Sequence, residues 1–145
     1  SATLNLITSS TTNLLTNGTA NVQFNSVING LYYLVIKHRN MIETWSANPI
    51  LISANTPLYD FSTEITKAYG SNMTEVENGV WAIYSGDVNQ DSNADNQDYS
   101  IWEEDANNFS TGFFATDLNG DGNVDGADFS IWETNANLFI FEIQP

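Results

Sequence analysis

The sequence predicts a small antiparallel β-sandwich over residues 1–85, followed by a small α-helical domain over 86–145 built from two loop–helix units. Three observations carry this expectation. Short runs rich in β-branched and aromatic residues, cut by turn residues, fill the first part of the chain. Acidic charge is concentrated in the rest: residues 1–86 hold five acids against Lys37, Arg39 and Lys67, whereas residues 87–145 hold thirteen acids and no Lys or Arg. Finally, the acidic region repeats itself with a period of 30 residues.

The strands are read in order. "ATLNLIT" alternates, with Leu4 and Leu6 on one face, and "NGTANVQF" leaves the turn-forming Asn17-Gly18 pair for Val22 and Phe24. "NGLYYLVIKHRN" is the strongest strand, entered through Asn29-Gly30. "IETWSA", "PILISA" and "PLYDFS" follow, with Pro49 and Pro57 suited to strand starts or edges. "STEITKAYG" suggests a short helical turn capped by Ser62 and stopped by Gly70, and "GVWAIYSG" is a last alternating strand. Short strands at this spacing favour an immunoglobulin- or fibronectin-like sandwich, with a looser α+β arrangement as the alternative.

Composition narrows the function. The chain of 145 residues has room for one ordinary domain or two small ones. With 41% hydrophobic and 12% aromatic residues it is a folding composition, not a disordered acidic tail. A net charge of −15 leaves no basic face for phosphates or anionic lipid, which argues against nucleic acid and membrane adsorption. No apolar run is long enough for membrane insertion. The absence of cysteine removes disulfides, thiol nucleophiles and thiolate metal sites together. Because the chain begins at Ser1 rather than Met, a signal or precursor segment is expected to have been removed. An extracellular protein without disulfides needs another staple, and a bound metal is the obvious one.

The repeat supplies candidates for it. "DYSIWEEDANNF" at 98–109 overlays "DFSIWETNANLF" at 128–139, with Asp98, Ser100, Ile101, Trp102, Glu103, Ala106, Asn107 and Phe109 recurring 30 residues on. Before each stands a twelve-residue loop, "DVNQDSNADNQD" or "DLNGDGNVDGAD". A hard cation such as Ca²⁺ takes six to eight oxygens from loop positions 1, 3, 5, 7, 9 and 12 of an EF-hand-like loop. In the first loop these are Asp87, Asn89, Asp91, the carbonyl of Asn93, Asp95 and Asp98. In the second they are Asp117, Asn119, Asp121, the carbonyl of Asn123, Asp125 and Asp128. Two Ca²⁺ sites are expected. Oxygen-only donors exclude zinc and copper, and Mg²⁺ is disfavoured by its reluctance to shed water. Gly122 stands at position 6 of the second loop, where a sharp turn is needed, and Ser92 in the first, which is expected to be strained or weaker for it.

After each loop, Tyr99, Trp102, Ala106 and Phe109, then Phe129, Trp132, Ala136 and Phe139, fall on one helical face. Trp102 and Trp132 are expected to pack between the helices. No helix is predicted ahead of either loop.

Loop-then-helix calcium repeats without an entering helix resemble the dockerin family, specifically the type I tandem repeat, over about residues 86–140. The resemblance implies a non-catalytic module that docks onto cohesin domains and attaches secreted proteins to scaffolds. Dockerins often carry a Ser-Thr-like pair at loop positions 10 and 11 and a basic residue later in the helix. Here those positions hold Asn96-Gln97 and Gly126-Ala127, and the first helix brings Glu103 and Glu104. The whole chain, with "GLYYLVIKHRN", "ETWSA", "YDFS", "KAYG" and "YSGDVNQD", looks like the C-terminal region of large secreted bacterial surface proteins.

Function is therefore expected to be that of a non-catalytic, calcium-stabilised structural or assembly module at the cell surface. Pairing of "SATLNLIT" or "LFIFEIQP" with a neighbouring copy would build a fibre or filament. The alternatives are docking to a cohesin-like receptor on another extracellular protein and carbohydrate binding through Trp45 or Trp81. No nucleophile–base arrangement is visible, and the lone His38 beside Lys37 and Arg39 reads as structural. The sequons at Asn17, Asn72 and Asn108 are weak signals.

Overall fold

The structure, a computed structural model, describes residues 4–25, 27–53 and 58–145, which fall into two compact units. One unit comprises Ser1–Tyr32 and Ile50–Pro57, the other Tyr33–Pro49 and Leu58–Pro145. The charge boundary near residue 86 thus falls inside the second unit.

In the first unit, β1 (Gly30–Tyr32) pairs antiparallel with a strand at Ile50–Ile52, matching Leu31 to Leu51. This second partner follows directly after Pro49, as a strand start should. The alternating runs at 4–8 and 19–24 form no ladder, and Leu6 and Ile7 stand exposed. Alternation prepares a face but supplies no partner strand, and an unpartnered strand is not stable. Asn17-Gly18 does make its turn: Leu15 N–H reaches Thr19 O at 2.8 Å, and Asn17 Oδ1 accepts from the Thr19 hydroxyl at 2.8 Å. The expectations resting on residues 1–3 and Pro57 lie outside the described residues.

The second unit holds β2 (Val35–His38) and β3 (Met41–Trp45), an antiparallel hairpin, with Ile50–Ile52 of the first unit counted as β4 in chain order. The single strand expected over "NGLYYLVIKHRN" is thus two, broken at Tyr33-Leu34 and shared between separate sheets. Two short 3-10 turns, Ile65–Lys67 and Tyr69–Ser71, replace the expected helical turn, with Glu64 rather than Ser62 leading the first. Gly70 separates the turn residues at φ +62°, and a Cβ there would lie 2.7 Å from Ile143 Cγ2. "PLYDFS" forms no strand over its described residues. A hairpin of β5 (Thr74–Glu77) and β6 (Val80–Ala82) turns through Asn78-Gly79. Asn-Gly between two extended runs is the strongest short-range hairpin signal, with Gly79 at φ +76° supplying the left-handed position.

The described strands therefore make three two-stranded antiparallel sheets, short of the larger stacked sheets of an immunoglobulin-type sandwich. Helices α1 (Asn96–Asn107) and α2 (Gly126–Asn137) complete the second unit, displaced by the 30-residue period at both ends. Its buried apolar residues are Ile42, Ala68 and Met73 on the strand side, with Ala94, Val124 and Trp132 in the repeats.

Both helices end in the same way. Phe109 N–H bonds to Ala106 O at 3.0 Å and Ser110 N–H to Asp105 O at 3.0 Å, a Schellman motif, and Phe139 and Ile140 repeat it with Ala136 and Asn135. The left-handed position usually given to glycine is held by Phe109 (φ +54°) and Phe139 (φ +55°). These two rings lie past the helix ends and are more than four-fifths exposed, not on the buried helical face expected for them.

Candidate functional site

The repeat produces two loops with nearly superimposable wiring. At position 1, the Asp87 carboxylate accepts from the N–H groups of Asp91 (3.0 Å) and Ser92 (3.1 Å). Asp117 accepts from Gly120 (2.8 Å) and Gly122 (3.1 Å). At position 12, Asp98 Oδ1 accepts from Val88 (2.8 Å) and Asn89 (3.1 Å), and its Oδ2 from Asp95 (2.8 Å). Asp128 does the same with Leu118 (2.8 Å), Asn119 (3.1 Å) and Asp125 (2.9 Å). Asp95 and Asp125, at position 9, are the N-caps of α1 and α2, and each forms a capping box with the carboxylate three residues on. At positions 3, 5 and 7, Asn89 Oδ1 accepts from Asp91 N–H (2.9 Å) and Asp91 Oδ1 from Asn93 N–H (3.1 Å). Asn119, Asp121 and Asn123 repeat this at 2.8 Å for both bonds.

The helices lock the loops together by exchange. Trp102 Nε1 donates to Asp125 O at 3.2 Å, and Trp132 Nε1 donates to Asp95 O at 3.1 Å. Trp102 and Trp132 sit with Tyr99 and Phe129 in one aromatic cluster, ring centroids 5.1–6.0 Å apart, as expected for the helix interface. Ala94 N–H bonds to Ile140 O at 3.0 Å, while Val124 N–H bonds to Ser110 O at 3.0 Å. Each loop is therefore zipped to the segment leaving the other repeat's helix.

Electrostatics mark positions 1 and 12. Asp87, Asp98, Asp117 and Asp128 are all buried, two of them with no exposed surface, in a segment without a basic residue. Burial pushes the Asp87 carboxyl up to about 6, assisted by the nearby Asp98 charge. Burial also raises Asp98, against the three backbone N–H groups that favour its charge. Asp91 is held low first by the Asn89 side chain, and Asp121 first by the Asn123 N–H.

The expected ligands thus fall into two loops of six. Among the described residues, no group of three or more His, Cys, Asp and Glu side chains is gathered as a metal cluster. The carboxylates are turned instead to the loops' own N–H groups, and every buried side-chain polar atom described has a partner. The donor chemistry, oxygen only with buried carboxylates in a segment without Lys or Arg, fits a hard divalent ion.

Residues 85–133 match the family model of the dockerin type I domain. That segment is a type I dockerin-like domain. The match spans roughly a third of the chain and stops within α2. Neither the curated proteins nor the solved structures contain a match to the chain.

The strand part of the unit is wired into the dockerin-like segment. Asn40, 2% exposed in the β2–β3 turn, donates from Nδ2 to Asp117 O at 3.2 Å, and its carbonyl accepts from Gly86 N–H at 2.8 Å. Arg39 Nε donates to Phe114 O at 3.2 Å, with its guanidinium over the Phe113 ring at 4.2 Å. His38 pairs with Asn40 Oδ1 at 2.9 Å, a structural use. Asn72 is buried and donates to Phe141 O at 2.9 Å, so in the fold its sequon side chain is occupied. Trp45 donates to Glu142 at 2.7 Å and meets Tyr33 edge-on, leaving it committed within the unit. Among the described residues no helix is long and apolar enough to cross a membrane.

Proposed function

We propose that residues 86–145 act as a calcium-dependent docking module for a cohesin-like domain on another extracellular protein. The observation that carries this reading is the pair of oxygen-rich loops, wired alike at position 12, inside a segment matching the dockerin type I family. Asp87, Asn89, Asp91, the Asn93 carbonyl, Asp95 and Asp98 would hold one Ca²⁺. Asp117, Asn119, Asp121, the Asn123 carbonyl, Asp125 and Asp128 would hold the second. Bound calcium would neutralise the buried carboxylates and fix the loop ends from which α1 and α2 start. No catalytic role is assigned.

Docking is preferred to self-assembly because the C-terminal run is already used within the unit. Ile140 O, Phe141 and Glu142 N–H pair with the first loop, which commits one edge of that segment within the unit. Glu103 and Glu104 on α1 suit a receptor with basic rather than acidic contacts. The test is retention of the purified chain on an immobilised panel of cohesin domains in 1 mM Ca²⁺. Release by EDTA is expected; passage through every column in calcium would contradict the reading.

A further inference from the structure

The two loops differ at positions that carry no ligand. Both need left-handed backbone at positions 4 and 6. The second loop places Gly120 (φ +77°) and Gly122 (φ +87°) there, whereas the first places Gln90 (φ +61°) and Ser92 (φ +78°). Space does not explain the glycines, because a Cβ at either would meet nothing within 4 Å. The conformation alone favours glycine, so the first loop carries backbone strain that the second lacks.

Both strained residues are held by their side chains. Gln90 Nε2 donates to Asp87 O at 2.6 Å and to Met41 O at 3.4 Å, reaching β3. Ser92 Oγ donates to Glu142 Oε2 at 2.9 Å, and Glu142 Oε1 accepts from Trp45 Nε1 at 2.7 Å and from Gln144 Nε2 at 2.9 Å. The backbone pairing beneath is common to both repeats: Glu142 N–H bonds to Ser92 O at 2.9 Å, and Gly112 N–H to Gly122 O at 2.8 Å. Where the first loop has a serine facing a glutamate, the second has a glycine facing a glycine.

We propose that Glu142 is a positioning residue for the first loop: its carboxylate holds Ser92 in the left-handed turn that loop requires, so the first loop's affinity for its cation is raised by the docked C-terminal tail. The second loop has no such dependence. Glu142 does not touch the cation; it acts through Ser92, while Trp45 fixes the other side of its carboxylate. The inference rests on the calcium reading above.

The test is calorimetric Ca²⁺ titration of the full chain after chelator treatment, for wild type, Glu142→Ala, Ser92→Gly and the double variant. A charge-assisted bond of this kind is worth about tenfold in one site's affinity. Glu142→Ala should therefore weaken one of two sites by about tenfold and spare the other. In the Ser92→Gly background the same change should cost about twofold or less, because glycine adopts the turn unaided. A general packing role for the tail would give the same loss in both backgrounds, and that result would overturn the proposal. Two wild-type sites unaffected by Glu142→Ala would overturn it while leaving the calcium reading intact. A folded wild type that binds no calcium would overturn both.

Discussion

The two loops present the same residue types at the same six positions and reach closely similar hydrogen-bonded wiring by different means. The second depends less on its surroundings: Gly120 and Gly122 take up positive φ without cost, and Asn40 ties it to the strand side through Asp117 O. The first borrows its shape. Gln90 and Ser92 are strained, and β3, Trp45 and Glu142 hold them in place. The two copies thus keep the same oxygen-bearing residues while one is fastened to the rest of its unit. A ligand list alone would call the loops equivalent. The residues between the ligands distinguish them.

That comparison can be broken most severely by removing the metal. On the proposed reading, with a Kd of ~10⁻⁵ M and free calcium of ~1 mM, each site would stabilise the fold by roughly 2.7 kcal/mol, a large share of a typical domain's ~5–15 kcal/mol. EDTA should lower Tm by many degrees. Hydrogen exchange should open the second loop before the first, which keeps its ties to Met41 and Glu142; the opposite order would reverse the comparison. Asp98→Ala and Asp128→Ala each strip three backbone N–H groups of their acceptor. Each should abolish one site in calorimetry, at a cost of about 3 kcal/mol in stability.

Smaller changes probe the strain. Gly122→Ala should destabilise by about 1–2 kcal/mol through backbone conformation alone. Ser92→Gly should sit near zero in stability, because relief of strain and loss of the Glu142 bond are each about 1 kcal/mol and opposite in sign. Paired chemical denaturation curves check both. Acid gives the gentlest probe. Burial alone would raise Glu142, but hydrogen bonds from Trp45, Ser92 and Gln144 outweigh it and hold its carboxyl below the usual range. A depressed carboxyl contributes stability above its unfolded pKa and loses it as pH falls through the folded value. The Trp45 signal, isolated as wild type minus Trp45→Phe fluorescence, should therefore persist through the ordinary glutamate range and change only below it.

Legibility in the sequence followed locality. The repeat, a helix in each loop–helix unit and the Trp102/Trp132 interface depend on local spacing or on the repeat itself and are legible in the sequence; the caps at Asp95 and Asp125, which start each helix inside its loop, are not among the expectations. Residues 4–8 and 19–24 alternate correctly but lack a partner, which no local pattern supplies. The strand at "TEVE" is not expected from composition, because Glu75 and Glu77 mask it, although the following Asn78-Gly79 signals a hairpin. Phe109 and Phe139 kept the helical spacing one residue past the C-cap, where spacing no longer describes direction. The expectation that Ser92 marks a strained loop agrees with its positive φ, but the compensation lies 50 residues away at Glu142. A position-by-position comparison of the repeats, Gln90 and Ser92 against Gly120 and Gly122, was the available signal for it.

Equilibrium dialysis against radioactive calcium tests the central claim most directly. The account predicts two calcium ions per chain in the wild type, one in Asp98→Ala, one in Asp128→Ala and none in the double variant. A folded wild type that binds none, or single variants that still bind two, would contradict it.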